Sequence, residues 1–354
     1  MKVVDEINSI GILGGGQLGM FLCLAAKRFK KKISVYSESR QCSAEKFCDH
    51  FFYGSFQDLK KIEKFCDSVD MVTVETENIP IKTLNLIDKK NKLRPIASSI
   101  EIAQNRIKEK KFLNSLQNIQ TTPYYKIENY DELKEAFNKF NKNIIIKSCT
   151  FGYDGKNQHK ISSKNIGNFK NLSIKNYIAE KVVNFKKEIS VIISRDTKGE
   201  IQIYPPVENI HKKGILISSH FPSKLSKKTQ KKAIDYAIHI TKRLKIIGVL
   251  AVEMFILENE EIYINELAPR PHNSGHWTLD CCNYNQFDNL ILAISGLKIH
   301  NPEIFSGAIM KNILGNEYNN IKEISQKYKF YDYFKESVKP KRKMGHFTKL
   351  KKLI

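Results

Sequence analysis

Between residues 10 and 100, short apolar and often β-branched runs alternate with stretches of helical periodicity. The runs SIGIL (9–13), KISVYS (32–37), DMVTVE (70–75) and RPIAS (94–98) read as strands, and 17–30 reads as a helix. This rhythm predicts a parallel sheet with crossover helices. Ser98 followed by Glu101 forms a capping-box pattern and predicts a single helix running to about residue 116. TTPYYKI, with its proline, reads as a linker. From residue 143 the pattern changes to hairpin-like strands: NIIIKS, NYIAEKVV, EISVIISR, EIQIYPP and GILISSH. A helix near 225–244 precedes two further strands within 246–267. The fold class is therefore mixed, α/β at the N-terminus and α+β beyond it. The predicted division is an N-terminal α/β domain over 1–103, a small middle unit over 104–178, and a larger unit over 179–354.

The 354 residues suffice for several domains, and 41% hydrophobic with 27% charged residues suits a globular chain. The longest apolar run, GVLAVEMFIL, is too short to span a bilayer. No secretory signal is visible, so a cytoplasmic location is expected, with no membrane association. Seven scattered cysteines lack metal-ligand spacing and read as reduced thiols. The net charge of +22 comes from lysines spread along the whole chain. Without a basic stripe interleaved with aromatics it predicts no nucleic-acid partner, although a positive field attracts small anions.

The candidate chemistry begins at SIGILGGGQLGM, where Gly14, Gly16 and Gly19 fit a glycine-rich turn from strand to helix. Such a turn is a tight structural bend, a dinucleotide site or a site for a substrate phosphate, with backbone N–H groups and the helix N-terminus facing an anion. Glu38, about 20 residues on, stands where a ribose-binding acid would. Lys147 ends a predicted strand before a loop bearing Gly152 and Gly155, an arrangement suited to phosphates under a mobile loop. Glu180 at a strand end can take ribose hydroxyls, with backbone of 181–183 reading an adenine edge.

The sharpest argument lies in GVLAVEMFILENEEIYINELAPRPHNSGHW. A hairpin turning at Asn259–Glu260 places Glu253 opposite Glu266, both side chains on one face. Two carboxylates so placed call for a cation, and magnesium carrying nucleotide phosphates is the usual solution. In a regular strand Asn265 points to the opposite face, so any polar role for it requires an irregularity. Arg270, between two prolines, offers planar recognition of a carboxylate or bicarbonate. His272 is either a donor to developing negative charge or a proton-transfer group. The basic run YFKESVKPKRKMGHFTKL ends the fold, as a solvated tail or as a source of Lys335 and Arg342 for a phosphate site.

Taken together, GILGGGQLG, VETENIP, QNRIKEKKFL, GYDGKNQ, EISV, NIHKKGIL, GVLAVEMF, INELAPRPHNSGHWTLD and RKMGH resemble the N5-carboxyaminoimidazole ribonucleotide synthases of the ATP-grasp superfamily. The resemblance spans nearly the full chain, and Asn265–Trp277 is its most specific part. It implies an ATP-grasp fold behind a pre-ATP-grasp domain. It also implies ATP-dependent carboxylation of 5-aminoimidazole ribonucleotide by bicarbonate through carboxyphosphate, in purine biosynthesis, by a Mg2+- or Mn2+-dependent homodimer. By motif position, the ATP site comprises Arg106, Lys147, Gly152, Tyr153, Asp154, Gly155, Lys156, Asn157, Gln158, Glu180, Lys181, Val182, Val183, Glu188, His211, Asn265 and Glu266. Glu253 and Glu266 are the implied metal ligands. The implied substrate site comprises Gly16, Gln17, Leu18, Glu75, Tyr153, Asp154, Arg270, His272, Asn273, Lys335 and Arg342. Lys147, Asp154, Arg270, His272 and Asn273 are the implied catalytic groups. Lys156 and Asn157 depart from the Arg and Gly frequent in the family's loop.

Overall fold

The computed structural model describes residues 7–150, 152, 157–170 and 175–353. Its first sheet is parallel, in the spatial order His50–Tyr53, Lys32–Ser37, Ser9–Leu13, Met71–Val74. The first strand in sequence thus lies centrally, and the crossovers leave it in opposite directions. Ligands of such sheets bind at that switch point, beyond the carboxyl ends of the strands. Here those ends deliver Gly14–Gln17, Ser37–Ser43 and Glu75–Asn78 to one crevice.

Two sequence expectations fail in this part. RPIAS is not a strand: Leu93 makes only an isolated bridge to Val72, Pro95 has no N–H to donate, and a helix begins at Ala97. The helix expected from Ser98 to about 116 is two helices, Ala97–Gln104 and Arg106–Asn114, and the Ser98 side chain caps neither. Asn105 separates them in an extended conformation, and its side chain accepts from Ile107 and Lys108 N–H. The Arg106 N–H meanwhile donates to the Cys149 carbonyl at 3.0 Å. Capping at Asn105 and this tertiary bond outweigh the weaker signal at Ser98.

The second sheet is antiparallel, ordered Tyr124–Ile127, Tyr177–Lys181, Ile144–Ser148, Gln158–Ile161. The supposed linker TTPYYKI is therefore largely strand, because alternating Tyr125 and Ile127 pack on the core under the helix Tyr130–Lys139. The third sheet has nine strands, ordered Phe330–Asp332, Lys343–Lys351, Gly307–Leu314, Ile215–Phe221, Ile201–Lys212, Phe185–Arg195, Gly248–Leu257, Ile262–Ala268, Gln120–Thr121. Half of the basic C-terminal run is thus an interior strand, not a solvated tail.

One face of the large sheet packs Ile189, Val191 and Ile193 against Ala233, Ala237 and Ile240 of the helix Lys227–Arg243. The other face carries Trp277, Phe287 and Tyr333, and the same cluster includes Phe21 and Leu22 from the helix after the glycine-rich turn. The first helix and the last sheet strands therefore share one core, and each large apolar side chain buried there contributes roughly 2 kcal/mol. Phe21 packs edge-on to His276, Tyr333 and His346. This core fixes the glycine-rich turn relative to the C-terminal strands. Among the described residues no helix is long and apolar enough to cross a membrane.

Candidate active site

The glycine-rich turn is already occupied by a side chain of this protein. Glu75, just past the strand Met71–Val74, accepts from Gly16 N–H at 2.6 Å and Gly19 N–H at 2.8 Å. The glycines are what let it approach: a Cβ on Gly14 would lie 2.2 Å from Glu75 Cγ, and one on Gly16 2.7 Å from its Oε1. The anion at this helix N-terminus is thus a carboxylate from the fold itself, which takes up the Gly16 and Gly19 amides where a phosphate was expected. Burial raises the Glu75 carboxyl above its ordinary value, against the pull of the two glycine amides and of Arg270. Glu38 likewise turns inward, accepting from Ser55 Oγ and Phe56 N–H, and braces the loop rather than standing free for a ribose.

Beyond Glu75 a cavity of about 480 Å³ is lined by Gly16, Gln17, the 37–43 loop, Lys335 and Arg342. A second, of about 340 Å³, shares Gln17, Glu75 and Lys335 with the first and adds Leu18, Arg270, His272, Asn273 and Glu266. A narrow third cleft shares Glu266 with the second and reaches Arg106 and Gly152. The three form one trough from the basic C-terminal run to Glu266.

Glu253 is paired directly to Glu266 as expected, but not through the unbroken register out from the turn on which that expectation rested. The register then slips by one residue at Asn265, so that Met254 pairs with Ile264. This bulge is the irregularity that a regular strand lacked. It leaves Asn265 Oδ1 buried, with no hydrogen-bond partner among the described residues. Burial raises the Glu253 carboxyl to about 7, His211 lowers it in part and the neighbouring Glu266 raises it further. Glu266 pairs with Arg106 at 3.2 Å, and His272 Nε2 lies 3.5 Å from Glu253. His211 contacts Glu188 through Nδ1. Burial alone would lower the His211 imidazole, but Glu188 and Glu253 together raise it above its ordinary value.

Lys147 and Glu180 lie on adjacent antiparallel strands of the small sheet, and their side chains pair at 2.6 Å. A second lysine, Lys110, reaches the other oxygen of Glu180 at 3.1 Å and is 1% exposed. Burial would raise Glu180, yet Lys147 and Lys110 hold it down at about 2. Gln158 pairs with Lys147 across the sheet, and Asn157 sits at φ 56°. Tyr153, Asp154, Gly155 and Lys156 lie outside the described residues. Of the run expected to read an adenine edge, Lys181 and Val182 already donate their N–H groups to the carbonyls of Pro123 and Asn143.

Arg270 donates through Nε to Glu77, which burial would raise but Arg270 holds below its ordinary value. Asn273 is almost fully buried: its Oδ1 accepts from Asn312 at 2.6 Å and its Nδ2 donates to Tyr333 at 3.4 Å. Sequence reasoning passed over Lys110, Glu109, Glu77 and Lys343. Lys110 was accessible in principle, since it lies four residues after Arg106 on the same face of one helix. Glu77 carried no local signal, because its partner Arg270 lies 193 positions away.

With this geometry in place, comparison with known proteins is informative. The ribonucleotide synthetase preATP-grasp domain model matches residues 7–104, the ATP-grasp domain model 111–287, and the phosphoribosylaminoimidazole carboxylase C-terminal domain model 308–353. The N5-carboxyaminoimidazole ribonucleotide synthase of Bacillus subtilis is 36% identical over 347 residues, covering 97% of this chain and 91% of its own. That of Brucella melitensis is 33% identical, covering 97% and 96%. The crystal structure of an N5-carboxyaminoimidazole ribonucleotide synthetase in complex with ADP superimposes with a TM-score of 0.94 at 36% identity, covering 99% of this chain and 95% of the other. The Aspergillus clavatus enzyme, crystallised with ADP and 5-aminoimidazole ribonucleotide, does so at 0.88 with 28% identity over 97% and 93%. The paired carboxylates, the trough that joins Glu266 to the basic run, and these full-length likenesses converge: the chain belongs to the N5-carboxyaminoimidazole ribonucleotide synthase family of ATP-grasp enzymes.

Proposed function

We propose that the trough carries out the family's reaction with the residues it brings together. The chain is an ATP-grasp ligase of purine biosynthesis, converting 5-aminoimidazole ribonucleotide, ATP and bicarbonate to N5-carboxyaminoimidazole ribonucleotide, ADP and phosphate. The observation that carries the assignment of roles is the Glu253–Glu266 pair, of which Glu266 lines the same trough as Arg270, His272 and Lys335 while Glu253 lies beside His272. Two opposed carboxylates offer only oxygen donors, which fits a hard divalent cation, and the neighbouring Asn265 has a buried Oδ1 without a hydrogen-bond partner among the described residues. An ion held by two carboxylates takes its remaining ligands from phosphate and water. Glu253 and Glu266 would hold Mg2+ or Mn2+, which when bound supplies positive charge to the nucleotide phosphates.

The chain's own groups supply the rest. Lys147 and Arg106 face the phosphates, and Glu180 holds both Lys147 and Lys110 in place. Val183 and the carbonyls of 181 and 182 remain for the adenine, with Glu188 and His211 beside the ribose. Bicarbonate oxygen attacks the γ-phosphorus of ATP, ADP leaves, and the product is carboxyphosphate. Arg270, oriented by Glu77, neutralises charge on the carboxyl group while His272 and Asn273 orient it. The exocyclic amine of the ribonucleotide then forms a bond to the carboxyl carbon as phosphate leaves and the amine gives up a proton. Gln17, Glu75, Lys335 and Arg342 hold the ribonucleotide. A lid over 150–157 would exclude water from carboxyphosphate, and Asp154 would position the amine. The working form we propose is a cytoplasmic homodimer.

The test is ADP release that requires both bicarbonate and 5-aminoimidazole ribonucleotide. Glu253→Ala and Glu266→Ala should each reduce it at least a hundredfold, and full turnover in the double variant would refute the assignment.

A further inference from the structure

Behind His272 runs a file of buried side chains that the reaction above does not use. Ser219 Oγ donates to Asn209 Oδ1 at 2.8 Å, Asn209 Nδ2 donates to Ser190 Oγ at 3.0 Å, and Ser190 Oγ donates to Ser274 Oγ at 2.7 Å. Ser274 Oγ in turn lies 2.7 Å from His272 Nδ1. All four residues are buried, Ser219 and Ser274 completely. The four come from separate parts of the chain: two neighbouring strands of the large sheet, a third beside them, and the short turn after Pro271.

The direction of this file is fixed at its end. The backbone N–H of Ser274 points at His272 Nδ1, at 3.3 Å. A backbone N–H can only donate, so Nδ1 is the bare, accepting nitrogen. Ser274 Oγ, which already accepts from Ser190, completes the pattern by donating to the same atom. In a neutral imidazole one nitrogen accepts and the other bears the proton, so Nε2 carries it. Nε2 is the atom facing Glu253 at 3.5 Å, away from the serine file, and His272 is among the residues lining the second cavity.

We infer that Ser190 and Ser274 are positioning residues that lock His272 as an Nε2–H donor, so that it stabilises the carboxyl group being transferred and is not the base that takes the amine proton. This rests on the proposed reaction for the identity of the carboxyl group, but the tautomer itself does not. Of the two roles open to His272 from sequence, the structure retains the donor. The nitrogen turned towards Glu253 has no lone pair to receive a proton, and the nitrogen with a lone pair is sealed behind the serines. The proton released when the amine attacks must pass to another group.

The experiment is nuclear magnetic resonance of the full chain with 15N-labelled histidine, with and without Mg·ADP, His272 being assigned by difference against His272→Asn. The expected signature is a protonated Nε2 and a bare Nδ1. Ser190→Ala and Ser274→Ala should lower kcat roughly tenfold, with KM for ATP within twofold of wild type, and the double variant should be no worse than the poorer single one, since the hydroxyls act as one file. A proton on Nδ1, or full kcat in Ser190→Ala with ADP affinity intact, overturns the inference. Should Ser274→Ala fail to fold, Ser190→Ala and the wild-type spectrum decide. A wild-type chain without bicarbonate-dependent ADP release would refute the reaction while leaving the tautomer to be read directly.

Discussion

Replacing Glu180 by glutamine removes one negative charge from a pocket that holds two lysines. Glu180 forms ion pairs with Lys147 at 2.6 Å and Lys110 at 3.1 Å, with all three side chains at or below 9% exposure. Burial works against the carboxylate, yet the lysines lower it from its ordinary 4.5 to about 2. At about 1.4 kcal/mol for each tenfold change in an ionisation constant, that displacement is worth roughly 3 kcal/mol to the folded state at neutral pH. The sign follows from the lowered value: this contribution is complete above about pH 4.5 and disappears as pH falls towards 2. Lys110 makes the loss steeper. Burial already pulls its ammonium below the ordinary lysine value, and Glu180 restores it only in part. Without Glu180 two ammonium groups face each other in a dry site, and breaking a buried pair typically costs about 3–5 kcal/mol. Glu180→Gln should therefore lower the thermal midpoint of the unit containing the small sheet by on the order of 10 °C at pH 7, and should raise KM for ATP as Lys147 loses its anchor. Scanning calorimetry and initial rates read the two effects. The decisive arm is the double variant Lys110→Met, Glu180→Gln, which removes the second stranded charge and should recover a large part of the lost stability. A double variant no more stable than Glu180→Gln alone would refute this account of the pocket.

Two further outcomes follow from the geometry of the trough. Gly14 sits at φ 111° with Glu75 Cγ 2.2 Å from where a Cβ would go. Gly14→Ala should therefore cost at least 2 kcal/mol, from about 1–3 kcal/mol of backbone strain plus the displacement of Glu75. It should raise KM for the ribonucleotide more than KM for ATP, and equal effects on both would count against Glu75 as the organiser of the first cavity. Glu253 is an acid raised in the folded state to about 7, so it stabilises the metal-free fold below about pH 4.5 and loses that contribution as pH rises through 7. Binding of Mg·ADP should release a proton near pH 6.5, read by calorimetry in buffers of different ionisation enthalpy. Glu253→Gln should abolish that release, and an unchanged release in this variant would place the titrating group elsewhere.

The paired acids show what a local pattern can determine. Alternation along a hairpin brings Glu253 and Glu266 to within one residue of each other, but regular pairing out from the turn would set Glu253 against Asn265, and the extra residue of the bulge there is what brings Glu266 opposite. The same logic located most strands of the large sheet and the helix near 225–244. It failed where a tertiary bond or a cap outweighed a local signal, as at Asn105, and where pairing with distant strands makes structure from weak runs, as in TTPYYKI and the last nine residues of the large sheet. The glycine-rich opening was legible as an anion site, but only the fold decided which anion. Glu75 is 59 positions from Gly16 and reaches it because parallel strands bring their carboxyl ends together. Charges buried against partners far along the chain, such as Glu77 with Arg270 and Lys110 with Glu180, are likewise set by packing. Periodicity is a property of neighbours in sequence, and so the sequence by itself determined most of the elements and the hairpin that carries both Glu253 and Glu266. Desolvation and hydrogen-bond direction are properties of neighbours in space, and the tertiary structure alone decided which charges are held, which are raised, and which nitrogen of His272 faces Glu253.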